Sequence, residues 1–166
     1  LLDGFQVDTL QRARINSVYT NMINAYRHRV GAEDAVVLAT LDYWKWKSTG
    51  GGISREPYAT YRERKERLDK EYLEVLDNLI REYGGREICA EVYIDKAGWL
   101  RGLGASYMDE VLQVCDKGVK RYPAYKRINE LRNIRESVLQ PYLNVSTQES
   151  VYPGDSLELN VGYRNL

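Results

Sequence analysis

A single histidine, a single phenylalanine, two cysteines and four prolines in 166 residues set the first limits on this sequence. His28 stands alone within a helical pattern, with no second imidazole for a metal site or a proton relay, so a structural role fits it better than general-base catalysis. Cys89 and Cys115 lack the close spacing of a zinc or redox motif, and one histidine cannot complete a four-ligand set with them. Both fall in helical patterns, where buried free thiols are the first reading and a disulfide between them the alternative. Neither cysteine, nor any serine, has a visible base partner for nucleophilic catalysis. No apolar run approaches the roughly 20 residues of a membrane-spanning helix.

An excess of one charge is missing as well. The 24 basic residues are balanced by 24 acidic ones, which leaves no net field to gather nucleic acid or an anionic membrane surface. The glycines cluster without forming a phosphate loop. Thr49 to Gly52 is followed by no Gly-Lys-Ser/Thr and preceded by no strand pattern, so it reads as a flexible connector. Gly98, Gly102 and Gly104 end a helical pattern where a dinucleotide-binding turn would begin one. The adjacent carboxylates Glu33-Asp34 and Asp109-Glu110 stand at helix starts, where they complement the helix dipole and need no glycosidase role. The chain is therefore read as non-enzymatic, with no catalytic, cofactor or metal-ligating residue.

What the sequence does have is a repeat. Tyr72 to Tyr83 (YLEVLDNLIREY) returns as Val111 to Tyr122 (VLQVCDKGVKRY), with Leu73, Val75, Leu76, Ile80 and Tyr83 meeting Leu112, Val114, Cys115, Val119 and Tyr122. Apolar positions are kept while polar ones drift, the mark of a helix–turn–helix array. Each copy ends in a breaker, Gly84-Gly85 or Pro123, and a further helical pattern follows.

Six helices are expected. The first spans residues 7–30 on a face of Ile15, Val18, Met22, Ala25, Tyr26 and Val30, and Gly31 stops it. The second, AVVLATLDYWKW from Ala35 to Trp46, is apolar nearly all round and implies a helix sandwiched between neighbours. The third, with Pro57 in its first turn, buries Tyr61, Leu68, Tyr72, Val75, Leu76, Leu79 and Tyr83. Its other face is laced by Glu63–Arg67 and Glu66–Lys70 pairs. The fourth runs through Cys89, Val92, Tyr93, Ala97 and Leu100; the fifth starts at a Ser106 cap. The sixth buries Ile128, Leu131, Ile134 or Arg135, and Val138 before Pro141. The fold class is mainly α, antiparallel helix pairs in a tetratricopeptide-like right-handed array, with the Tyr72 and Val111 segments each leading a pair.

Beyond Pro141 the period falls to two. Leu143, Val145 and Thr147 alternate with polar residues, Tyr152-Pro153-Gly154-Asp155 makes a turn, and Leu157, Leu159, Val161 and Tyr163 alternate again. A lone hairpin is marginal in water, so the pair is expected to open a larger β domain. Residues 1–141 form the helical domain and 142–166 the truncated start of a β-sandwich.

The tail YLNVSTQESVYPGDSLELNVGYRNL, from Tyr142 to Leu166, resembles the opening of a macroglobulin domain in bacterial, Bacteroides-like members of the alpha-2-macroglobulin family. The helices before it are similar to the tetratricopeptide-like N-terminal extension of that family's large envelope forms. The resemblance implies a scaffold or docking part of an envelope-anchored, periplasmic or outer-membrane lipoprotein that inhibits proteases. Its partners would be proteases met by the full-length molecule, or an envelope protein, with no nucleic acid and no membrane insertion by this segment. The family's reactive thioester cannot be carried over, because neither Cys89 nor Cys115 has the Gln three residues on that the motif needs. The alternative is a free-standing tetratricopeptide-like module that binds a peptide or protein. In either case Trp44, Trp46 and Trp99 are the candidate contact aromatics, read as an interhelical seam or, alternatively, as the lining of a groove.

Overall fold

The computed structural model describes residues 3–51, 60–147 and 159–164. The described residues form six α-helices: α1 Asp3–Arg27, α2 Glu33–Trp46, α3 Tyr61–Tyr83, α4 Cys89–Leu103, α5 Met108–Arg121 and α6 Ile128–Leu139. Two strands follow, β1 Tyr142–Thr147 and β2 Leu159–Arg164, paired antiparallel with Leu143 opposite Tyr163 and Val145 opposite Val161. Pro57, the Tyr152-Pro153-Gly154-Asp155 turn and Leu157 lie outside the described residues.

The helices pack as three consecutive pairs joined by one recurring turn. The backbone N–H groups of Arg29, Arg86 and Tyr125 donate to the carbonyls of Tyr26, Tyr83 and Tyr122 at 3.0, 2.9 and 3.1 Å. Those of Ala32, Cys89 and Ile128 then donate to the carbonyls of residues 29, 86 and 125 at 3.2, 3.1 and 3.0 Å. Two successive tight turns thus satisfy carbonyls left open at the end of the first helix and launch the second. The Tyr72 and Val111 segments both lead a pair, as the repeat requires. Burial follows the same register in each, with Tyr72, Leu76 and Leu79 matching buried Val111, Cys115 and Gly118.

Polar links recur at matching positions. Asp77 of α3 meets Lys96 of α4 at 2.8 Å, and Asp116 of α5 meets Arg135 of α6 at 2.7 Å. Between pairs, Arg86 Nε reaches back to Asp34 Oδ1 of α2 at 2.6 Å, and Tyr125 Oη to Glu91 Oε1 of α4 at 2.6 Å. Arg127 adds a 2.5 Å contact to the second Glu91 oxygen. With both oxygens engaged, the buried Glu91 carboxylate keeps hydrogen-bond partners after leaving water. Lys96, nearly buried, is shared between Asp77 and Glu110 of α5, at 2.8 and 3.4 Å.

Several local expectations are corrected. Tyr61 is 62% exposed, because α3 begins there on a Thr60 cap that faces water. Glu63 closes the capping box with Thr60, and Arg62–Glu66 and Lys65–Asp69 are ion pairs along α3. Ser106 makes no capping hydrogen bond: Gly104, at φ 120°, turns the chain into a short 3-10 segment, Ala105–Tyr107, from which α5 continues. His28 follows the last residue of α1 and is exposed, since the tight turn to Arg29 has already begun. The connector after Trp46 opens as a wide π turn over Lys47–Gly51 instead of leaving the helix at Thr49. α2 buries Val36, Val37, Ala39, Thr40 and Leu41, yet Leu38 is 43% exposed, so one side of that helix is uncovered.

Cys89 and Cys115 are free, buried thiols on α4 and α5. Burial raises the Cys89 pKa against the opposing pull of the Tyr122 hydroxyl and Arg121, and burial with Asp116 pushes Cys115 up to about 11. An unfolded thiol titrates near about 8.5, so the protonated, folded form is favoured fully below that pH, and its contribution is lost as the pH climbs toward the folded value. The expected outcome is that neither thiol reacts with Ellman's reagent in mildly alkaline buffer until urea opens the array, when both react together. Rapid labelling of the native chain would show that the thiols are accessible.

Candidate functional site

Aromatic rings form a continuous seam across the first four helices. Tyr19 of α1 contacts Tyr43 and Trp46 of α2, with centroids 5.5 and 6.3 Å apart. Tyr43 also touches Trp44 and Trp46 at 5.9 and 6.2 Å. Trp44 stacks on Tyr72 of α3, at 6.2 Å and only 4° from parallel, and Tyr72 meets Trp99 of α4 edge-on at 5.0 Å. The three tryptophans are therefore linked through tyrosines, and all three are half-buried. Stacked and edge-to-face pairs of this kind add stability beyond the area they bury.

The polar tips of the seam are satisfied. Tyr72 donates to Asp95 Oδ2 at 2.8 Å, while Lys45 holds the other oxygen at 2.6 Å. Burial first, and the Asp95 charge second, raise the Tyr72 pKa far above the ordinary phenol value, so the hydroxyl is a fixed donor. Trp99 donates to Asp69 Oδ1 at 3.1 Å, and Lys65 shares that carboxylate. Lys47 Nζ lies 4.0 Å from the Trp44 ring centroid and Lys65 Nζ 4.6 Å from that of Trp99. Trp44 and Trp99 are engaged by tyrosines and lysines as parts of this seam.

Beside the seam, a groove of about 390 Å³ runs between α1, α2 and α3. Ile23, Tyr43, Trp44, Val75 and Leu79 supply its apolar surface; Thr20, Asn24 and Asn78 supply polar groups; Arg27 and Glu82 approach to 4.0 Å across it. Trp44 joins seam and groove, whereas Trp46 and Trp99 belong to the seam. The groove is amphipathic and paired in charge. Among the described residues no group of three or more His, Cys, Asp or Glu is placed to hold a metal ion, and no helix is long and apolar enough to cross a membrane.

Sequence reasoning paired two copies of the repeat and missed the third. Tyr26 stands where Tyr83 and Tyr122 stand, and Asp34, Glu91 and Glu130 occupy one further register. The signal was a tyrosine, a turn and then an acid in the first turn of the next helix. No protein-family model, characterised protein or solved structure matches this chain.

Proposed function

We propose that this chain is a non-catalytic docking scaffold of an alpha-2-macroglobulin-like envelope protease inhibitor, in which three helical pairs precede the first hairpin of a β-sandwich. The observation that supports it is the two-stranded ribbon. Leu143, Val145, Leu159, Val161 and Tyr163 fall on one face by strand register and are 58, 55, 58, 55 and 72% exposed. Alternating apolar residues of this kind are the inner face of a sandwich, and they need a second sheet to cover them. The resemblance of Tyr142 to Leu166 to a macroglobulin opening supports that reading, and the repeat array would supply the scaffold. Protease capture would belong to the full-length molecule, and the helices would hold it to an envelope partner.

A second reading is favoured by the groove beside Trp44, which would take a peptide in a free-standing module. One experiment separates the two. The chain is extended along its own coding frame by about 100 residues, the size of one β-sandwich domain, and amide exchange is followed in β1 and β2. Under the scaffold reading the extension contains further alternating strands and the Val145 and Val161 amides become strongly protected. A frame that closes just after Leu166, or an extension that leaves those amides exchanging as before, would remove the macroglobulin reading and leave the peptide-binding one.

A further inference from the structure

We propose that the outward face of α1 is a docking surface for an amphipathic helix bearing acidic residues. The inference concerns the opposite end of the array from the ribbon and stands apart from the macroglobulin reading. It starts from three valines at one register of the three leading helices. Val114 of α5 is 7% exposed and Val75 of α3 lines the groove against α1 and α2, so this register points toward the preceding pair. Among the described residues no helix pair lies before α1, and Val18 is 64% exposed. Leu10, 67% exposed, and Arg14 share its stripe at helical spacing.

The charges at the same registers are complementary to an acid. Glu110 of α5 reaches back to Lys96 of α4; its counterpart in α1 is Arg14, of opposite sign. Arg86 and Tyr125 reach back to Asp34 and Glu91; their counterpart in the first turn is Arg29. Arg14 and Arg29 are exposed and have no carboxylate partner among the described residues. The surface thus repeats the interface that α5 makes with α4, with its apolar position uncovered and its two cations unmatched. The occupant it fits is a helix lying as α4 lies on α5, with apolar residues toward Leu10 and Val18 and acids toward Arg14 and Arg29.

A second copy of the chain fits less well. The outer registers of α6 hold exposed Asn129, Arg132, Asn133 and Glu136, where α4 has buried Ala90, Tyr93, Ile94 and Ala97. That end is a polar cap, as the last unit of a repeat array carries, and it offers no apolar face for α1 of another copy.

The probe is a hydrocarbon-stapled, fluorescein-labelled peptide of the α4 sequence Cys89–Leu103 carrying Lys96→Glu. It already has Glu91 to meet Arg29, and it gains an acid for Arg14. Anisotropy titration with the whole chain is expected to saturate in the micromolar range, with Arg14→Glu and Val18→Asp each weakening binding about tenfold or more. The Arg14→Glu chain should regain affinity for the peptide that keeps Lys96. Both variants change exposed side chains, and matching melting curves establish that they fold. Lack of saturation, or binding indifferent to both variants, would overturn the proposal. Self-association in sedimentation that Val18→Asp abolishes would also overturn it and assign the face to a second copy.

Discussion

Replacing Tyr72 with alanine is expected to cost about 3–5 kcal/mol, the range for removing a buried aromatic ring. The ring is completely buried, is stacked on Trp44 and is met edge-on by Trp99, so its loss opens a void bounded by α2, α3 and α4. A domain of this size has about 5–15 kcal/mol of stability in all, and the variant should unfold at markedly lower urea with its Trp emission shifted to the red. Tyr72→Phe separates the hydroxyl from the ring. Asp95 keeps Lys45, so the loss is one charge-assisted hydrogen bond, about 1.5–3 kcal/mol. Equal costs for the two variants would mean that the hydroxyl, not the ring, holds the seam, and a loss under about 1 kcal/mol for alanine would mean that α2 and α3 collapse to refill the space.

The helical repeat was legible because burial leaves a mark on sequence at helical period. Tyr72, Leu76, Val111 and Cys115 are buried where the two matched texts place them, and Ile128, Leu131 and Val138 of α6 are buried together. The first pair escaped because its distance along the chain differs. α2 is followed by a π turn and a longer connector before α3, whereas α4 reaches α5 through Gly104 and three residues of 3-10 helix, so a comparison at one fixed offset passes over Tyr26. The tryptophans were legible as a seam but not in their partners. Spacing places Trp44 and Trp46 on one helix two residues apart; it says nothing of Tyr72 or Tyr19, which arrive from other helices. The capping role of Glu63 was not legible, since it depends on α3 starting at Tyr61 with Thr60 as its cap.

Gly118 of α5 packs against both α4 and α6, and Gly118→Ala is expected to destabilise the chain by about 1–3 kcal/mol through overpacking. Helix propensity argues the other way by about 1 kcal/mol, since alanine is the better helix former. Sterics decide the sign: an added Cβ would lie 2.5 Å from Leu131 Cδ1 of α6 and 3.1 Å from Tyr93 Cβ of α4. The corresponding position of the preceding pair is buried Leu79, and the residues matching Tyr93 and Leu131 there are the smaller Val36 and Val92. The array therefore keeps its layer thickness by exchanging one large and two smaller residues for glycine and two larger ones. Leu131→Val removes the nearest atom, so in the Gly118→Ala background it should restore stability while costing about 1 kcal/mol alone. A double-mutant cycle with coupling of at least about 1 kcal/mol is the expected result, and strict additivity would show that α5 and α6 separate without strain.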